Sequence, residues 1–341
     1  MSKKVTMESI AKKLGITKNT VSLALRNMPG VSEETRRLVI KTAQESGYEY
    51  KGSSNKKSKT KNICLMLSDD TRSSVGFFSF IQYGIESEAK KNNLNTILYC
   101  FNESKDFEVP LSIKDGIISG IITLGRLSEK TLKSIIDLNL PLVVIDHYFD
   151  NINASYILSD NVSGGYIATE YLIKSGHREI GFCGNIFSSS SFFDRYLGYL
   201  KALTQYKIPF NPLYSIINMS MAETADHDMV IKKLKELPKL PTAFFCCNDI
   251  EAITIIKGLS SMDLKIPEDI SIIGFDDIEL SKNISPELTT MHIHKELLGE
   301  KAVRTLILQM TQKNYTKEKI LLSADLTERQ SVKKIMNQSL R

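Results

Sequence analysis

Between Thr17 and Arg26 the chain sets Lys18, Asn19, Ser22, Leu23 and Arg26 on one side of a short helical repeat, with Val21, Ala24 and Leu25 on the other. The polar members form a hydrogen-bonding face suited to base pairs. Lysine donates to guanine, asparagine pairs bidentately with adenine, and serine reaches a base or a phosphate. The constellations of enzyme chemistry are missing. No Gly-x-Gly-x-x-Gly follows a strand, and neither a Gly-Lys-Ser/Thr phosphate loop nor a Gly-x-Ser-x-Gly elbow occurs. The nearest approach, Gly181-Phe182-Cys183-Gly184, lacks the third glycine. The five cysteines, Cys64, Cys100, Cys183, Cys246 and Cys247, show no Cys-x-x-Cys spacing and no nearby histidine, so they are expected to be reduced, buried thiols. No catalytic residue, cofactor or metal is expected.

Local signals define the elements that carry the polar face. Thr6 can cap a helix over Met7 to Leu14, with Ile10, Ala11 and Leu14 inward and Gly15 as its stop. After Ile16, Thr17 can cap a second helix from Lys18 to Arg26. Pro29-Gly30 breaks the chain. Ser32 then caps a third helix, whose first turn holds Glu33 and Glu34 and whose expected inward residues are Leu38, Val39 and Ala43, ending at Gly47. Three short helices with a tight, glycine-containing first turn make a helix-turn-helix, which lays its second helix in the DNA major groove. Charge agrees. Residues 1–61 hold 14 Lys and Arg against 5 Asp and Glu, a net +9, whereas the other 280 residues hold 30 against 34, a net −4. A basic head on a mildly acidic body points to phosphate neutralisation by the head.

The segments Val5–Ala11, Gly15–Leu25 and Val31–Arg36 resemble the headpiece of the lac-repressor (LacI/GalR) family, most specifically in Thr20-Val21-Ser22 and in Val31-Ser32-Glu33-Glu34-Thr35-Arg36. The resemblance implies that Thr17, Lys18, Asn19, Ser22 and Leu23 face the groove, with Arg26 beside them. Thr6, Thr20, Ser32 and Thr35 take phosphate-contacting or capping places. Leu23 stands where many members carry a base-reading arginine, so a strong guanine contact is not expected there. The family's usual Pro-Asn-x-x-Ala-x-x-Leu hinge helix is replaced by Glu49 to Lys61, with no apolar residue after Tyr50. This reads as a flexible basic linker in which Lys56, Lys57, Lys59 and Lys61 supply phosphate contacts and nothing wedges the minor groove.

From Asn62 onward, short apolar strands alternate with helical segments, the pattern of parallel sheets flanked by helices. Strands are expected at 63–67, 95–99, 116–123, 142–145, 156–158, 180–183, 243–247 and 270–275. Helices are expected at 78–92, 129–138, 164–175, 194–204, 249–260 and 295–312. Ser159-Asp160-Asn161, Gly176-His177-Arg178, Asp194-Arg195-Tyr196, Asn248-Asp249, Gly274-Phe275-Asp276-Asp277 and Leu326-Thr327-Glu328-Arg329 extend the resemblance over essentially the whole chain. The family's regulatory domain looks like periplasmic sugar-binding proteins. By matching position, the resemblance implies a ligand held by Arg195, Asp276, Asn248, Asp146 and Ser191, with Phe77 and Phe78 covering a sugar ring. His177 reads as a packing residue.

The expected protein is α/β: a three-helix helix-turn-helix headpiece (1–50), a basic linker (51–61) and a two-lobed, parallel-sheet, periplasmic-binding-protein-like domain (62–341). Lobe 1 comprises about 62–160 and 291–321, and lobe 2 about 161–290 and 322–341. Its expected role is a regulator, and specifically a repressor, of palindromic operator DNA. It would act as a homodimer under control of a small effector, most simply a sugar, although nucleobases occupy this cleft in some members. No apolar run approaches the ~20 residues of a membrane span, and no apolar stretch follows Met1-Ser2-Lys3-Lys4, so a cytoplasmic protein without membrane contact is expected. No leucine heptad follows Arg329, which favours a dimer. The rivals are an α/β-fold enzyme and a ligand-binding protein without operator recognition.

Overall fold

Thr6, Thr17 and Ser32 each open a helix with a side-chain oxygen. Thr6 and Ser9 cap each other reciprocally ahead of α1 (Met7–Leu14). Thr17 Oγ1 accepts from the Thr20 amide at 3.1 Å ahead of α2 (Lys18–Leu25), and Ser32 Oγ accepts from Thr35 ahead of α3 (Glu33–Glu45). Gly15, at φ +64°, ends α1 in the left-handed conformation that glycine adopts without penalty. The computed structural model describes residues 5–25, 30–46, 48, 61–73 and 76–335, and the chain divides into two compact units, 1–60 and 61–341. Arg26, Gly47 and most of the linker, including Lys56, Lys57 and Lys59, lie outside the described residues.

Ile10, Ala11, Val21, Ala24, Val39 and Ala43 form the buried core of the first unit. One inward residue differs from expectation. Leu38 is 51% exposed, and Thr42 is buried in its stead. Val39, Thr42 and Ala43 follow the i, i+3, i+4 stripe of a helix, and Leu38, one residue earlier, is turned about 100° away from it.

The second unit opens at Lys61, which begins β1 (Lys61–Ser68) instead of closing the linker. β2 (Leu94–Phe101), β3 (Ile118–Leu124), β4 (Leu142–Ile145), β5 (Ser155–Ser159) and β10 (Lys319–Leu322) join it in one parallel sheet of order β10-β5-β4-β3-β1-β2. β1 is buried on both faces, which explains its unbroken apolar run. Ile63 and Leu65 pack toward α5 (Phe78–Lys91) and α13 (Lys295–Thr311), and Cys64 and Met66 toward α7 (Glu129–Ile136). Short helices α4 (Asp69–Ser73) and α6 (Leu111–Lys114) complete this lobe.

The other lobe is built on β6 (Ile180–Cys183), β7 (Ala243–Cys246) and β8 (Ser271–Ile273), parallel and in that order, with bridges to Ile216 and Thr289 at the two edges. Its helices are α8 (Asn161–Lys174), α9 (Ser190–Gln205), α10 (Met221–Ala225), α11 (His227–Glu236) and α12 (Asp249–Ser260). The chain passes between lobes after β5, after β9 (Thr290–His292) and before β11 (Asp325–Thr327). The last two pair antiparallel. All five cysteines are free; Cys100 is half-buried, against expectation, and the other four are buried. Burial pushes the Cys64 thiol up to about 12, leaving it inert.

His177, in the turn between α8 and β6, is fully buried, with Nδ1 3.0 Å from Thr242 Oγ1 and Nε2 3.3 Å from the Lys333 carbonyl. Burial lowers its pKa to about 4. The unfolded chain takes up this proton near the ordinary value of about 6.5, so the contribution is whole above that pH and lost as pH falls toward 4. Asp249 and Glu251, raised by burial to about 8 and about 7, act in the opposite sense, so the variant must be compared with wild type. His177→Gln is expected to flatten the acid side of a thermal-stability profile by on the order of 3 kcal/mol between those limits. An unchanged profile would show that the buried ring does not titrate there.

Candidate functional site

On α2, Lys18 and Asn19 are exposed, while Thr20, Ser22 and Leu23 are half-buried. Lys18 Nζ lies 2.9 Å from Glu8 Oε1, an ion pair between α1 and α2 whose side chains are 59% and 72% exposed. An exposed pair of this kind contributes at most about 1 kcal/mol, so the ammonium can exchange Glu8 for a base or phosphate at little cost. The hydroxyls of Thr6, Thr17, Thr20, Ser32 and Thr35 are engaged at helix N-termini. Thr17 and Thr20 pair at 2.9 Å, and Ser32 and Thr35 at 2.8 Å. They hold the amide-rich helix ends in shape, where an anion is also favoured.

In the second unit, Ser189 caps α9 and so fixes the first turns of the helix that carries Arg195. Arg195 is 2% exposed. Its Nε donates to Asn161 Oδ1 at 2.9 Å, Nη1 to the Cys247 carbonyl, and Nη2 to Asp276 Oδ1 at 2.9 Å. The Phe275 ring lies against the guanidinium, 3.8 Å from Cζ to centroid. Asp276 follows β8 at φ +107°. Burial raises its carboxyl pKa, while Arg195 and Lys295 oppose the rise. Lys295, at the start of α13, reaches over from the first lobe to donate to the Asp276 and Asp277 carbonyls, with the Phe77 ring 5.9 Å away.

Asp146 comes from the first lobe, just past the end of β4, at φ +62°. Its Oδ1 is buried without a hydrogen-bond partner in the protein. Burial raises its pKa to about 7, with Arg195 pulling down and Asp276 pushing up, so all three groups sense one another across the lobes. Nearby ties join the same edges: the Tyr148 hydroxyl donates to Asp194 Oδ1 at 2.9 Å, and the Tyr148 amide to Ser190 Oγ at 3.2 Å.

The structure thus brings Asp146, Arg195 and Asp276 together. Phe77 is buried near Lys295, and Phe78 meets it edge-on at 5.1 Å. Ser191 and Asn248 are also tied into the local structure. Ser191 Oγ pairs with the cap Ser189 at 2.9 Å, and Asn248 Oδ1 caps α12 by accepting from Glu251 at 2.7 Å. Sequence reading missed Asn161, Phe275, Lys295 and the Cys247 carbonyl. Asn161 and Phe275, each at a strand end within a segment of the resemblance, carried a local signal.

Glycine sets the depth of Arg195. A Cβ on Gly165 of α8 would stand 2.3 Å from the Arg195 carbonyl oxygen, and one on Gly198 of α9 would stand 2.2 Å from the Val162 carbonyl. Gly165→Ala is therefore expected to push α9 off α8 and destabilise this lobe by about 1–3 kcal/mol. Thermal unfolding checks this, and an unchanged midpoint would mean the helices part without cost.

Residues 6–50 match the bacterial regulatory proteins of the lacI family, and residues 169–332 match a periplasmic binding protein-like domain. A Pasteurella multocida relative described as HTH-type transcriptional repressor PurR is 31% identical over 336 residues, covering 96% of this chain and 98% of that protein. The chain belongs to the lacI family. A LacI family transcriptional regulator from Enterococcus faecium, solved with bound ribose, superposes with a TM-score of 0.69 at 25% identity, covering 81% of this chain and 100% of that one. The Lac repressor dimer bound to operator shares the fold, with a TM-score of 0.68 at 22% identity over 97% of this chain and 100% of that chain. Among the described residues of this LacI-family chain, no helix is long and apolar enough to cross a membrane.

Proposed function

We propose that this LacI-family chain is a cytoplasmic, homodimeric transcriptional repressor without catalytic activity, whose affinity for a palindromic operator changes when a small polyhydroxyl effector, a sugar, binds between its lobes. The observation that carries this reading is the buried Arg195–Asp276 pair facing Asp146 across two lobes, in a chain that also holds a helix-turn-helix. In the proposed division, residues 1–50 read DNA, 51–60 link, and 61–341 bind effector and dimerise. The lobes take 61–160 with 293–322, and 161–292 with 323–341. A ligand that prefers one lobe arrangement shifts the population of dimer geometries and hence the spacing of the two headpieces. A mobility-shift assay on DNA from upstream of the protein's own gene, with and without sugars, tests the proposal. Failure to bind any such fragment specifically would refute it.

The linker has its own test. Each phosphate neutralised contributes about −0.9 to the log–log salt slope of binding. Replacing Lys56, Lys57, Lys59 and Lys61 with serine is expected to flatten that slope by several units per dimer while preserving the ranking of operator variants. An unchanged slope would remove these lysines from the interface.

A further inference from the structure

We propose that the effector is an uncharged polyhydroxyl molecule, and that Asp146 makes the cleft reject ligands bearing a carboxylate or a phosphate. This rests on the function proposed above and concerns which ligands that site admits. The charges at the cleft carry the argument. Arg195 is the cation on the second lobe, and its charge is already matched by Asp276 at 2.9 Å. Its Nε, Nη1 and Nη2 are committed to Asn161, Cys247 and Asp276, so only its remaining N–H donors are left for a ligand. Lys295 is engaged by two backbone carbonyls and faces the carboxylates of Asp276, Asp277 and Asp249. An anionic ligand would therefore bring a further negative charge toward Asp146 and Asp276, with both cations of the cleft already matched.

Hydrogen-bond chemistry points the same way. Among the described residues, the buried side-chain oxygens and nitrogens without a partner are Thr123 Oγ1, Asp146 Oδ1 and Ser159 Oγ. They lie at the carboxyl ends of β3, β4 and β5, three adjacent strands, on the edge where an open α/β sheet takes its ligand. Asp146, ionised above about pH 7, is an acceptor that calls for a donor. A ligand hydroxyl donates, whereas an ionised carboxylate or phosphate oxygen cannot.

The test uses the full-length protein at about pH 8.5, where Asp146 is ionised, and matched probes: glucose, galactose and ribose against glucuronate, galacturonate and ribose phosphate, by isothermal titration. At least one neutral sugar is expected to bind, with its charged counterpart at least about 100-fold weaker, as befits a site built around a hydroxyl donor. A charged member binding as tightly as its neutral partner overturns the proposal, and so does binding by none of the neutral sugars. Asp146→Asn keeps the size and tolerates the left-handed backbone. It should shrink the discrimination by about tenfold, the scale of one charge-assisted bond; discrimination left intact would exonerate Asp146. Operator binding measured on the same preparations separates the two proposals. Charge discrimination without operator recognition would refute the regulatory reading alone, and operator recognition without the discrimination would refute this one alone.

Discussion

Arg195→Ala is expected to abolish the effector response while leaving operator recognition in place. The substitution removes the donors that meet Asn161, the Cys247 carbonyl and Asp276, and it strips the guanidinium from the face of Phe275. A buried carboxylate that loses its ion-pair partner costs about 3–5 kcal/mol, so the second lobe should melt earlier as well. Effector affinity should fall by at least about 100-fold, because the ligand loses both its donors and the pre-set position of Asp276. The headpiece is a separate compact unit and keeps its own core. Arg195→Lys controls for folding: it retains a charge near Asp276 but not the planar fork, so binding should remain weak while stability largely recovers. Calorimetric titration alongside mobility shift reads both quantities, and an undiminished ligand affinity in the alanine variant would take Arg195 out of the site.

Asn19→Ala is the corresponding experiment on the DNA side. Asn19 is exposed on α2, beside a lysine held only by an exposed ion pair. A lost bidentate contact to adenine costs about 1–3 kcal/mol per half-site, and a palindrome doubles it. The loss should appear as relaxed preference at one base pair in each half-site, with the other positions ranked as before. Equal weakening on all sequences would instead identify Asn19 as a phosphate contact. Leu23, half-buried and apolar, is not expected to compensate.

The sequence by itself determined the headpiece and the alternation of the body, because those signals act within a turn or two of chain. Thr6, Thr17 and Ser32 cap the next helix from three residues away. The strands at 142–145 and 180–183 coincide with their apolar runs, and α12 spans the expected residues. Where a neighbour in space intervened, local reading erred. Leu38 has the character of a core residue, but the stripe of α3 that meets α1 and α2 runs through Val39, Thr42 and Ala43. The expected ligand-facing places of Ser191 and Asn248 came from the family resemblance; in the fold Ser191 Oγ pairs with the cap Ser189, and Asn248 Oδ1 caps α12. Only the tertiary structure decided the cleft. Arg195 meets Asn161, Cys247 and Asp276 from 34, 52 and 81 residues away, and no periodicity reports on contacts of that span. The partnerless oxygen of Asp146 is likewise invisible in sequence. It follows from the end of β4 meeting the other lobe, where burial removes water and the fold supplies no donor in its place.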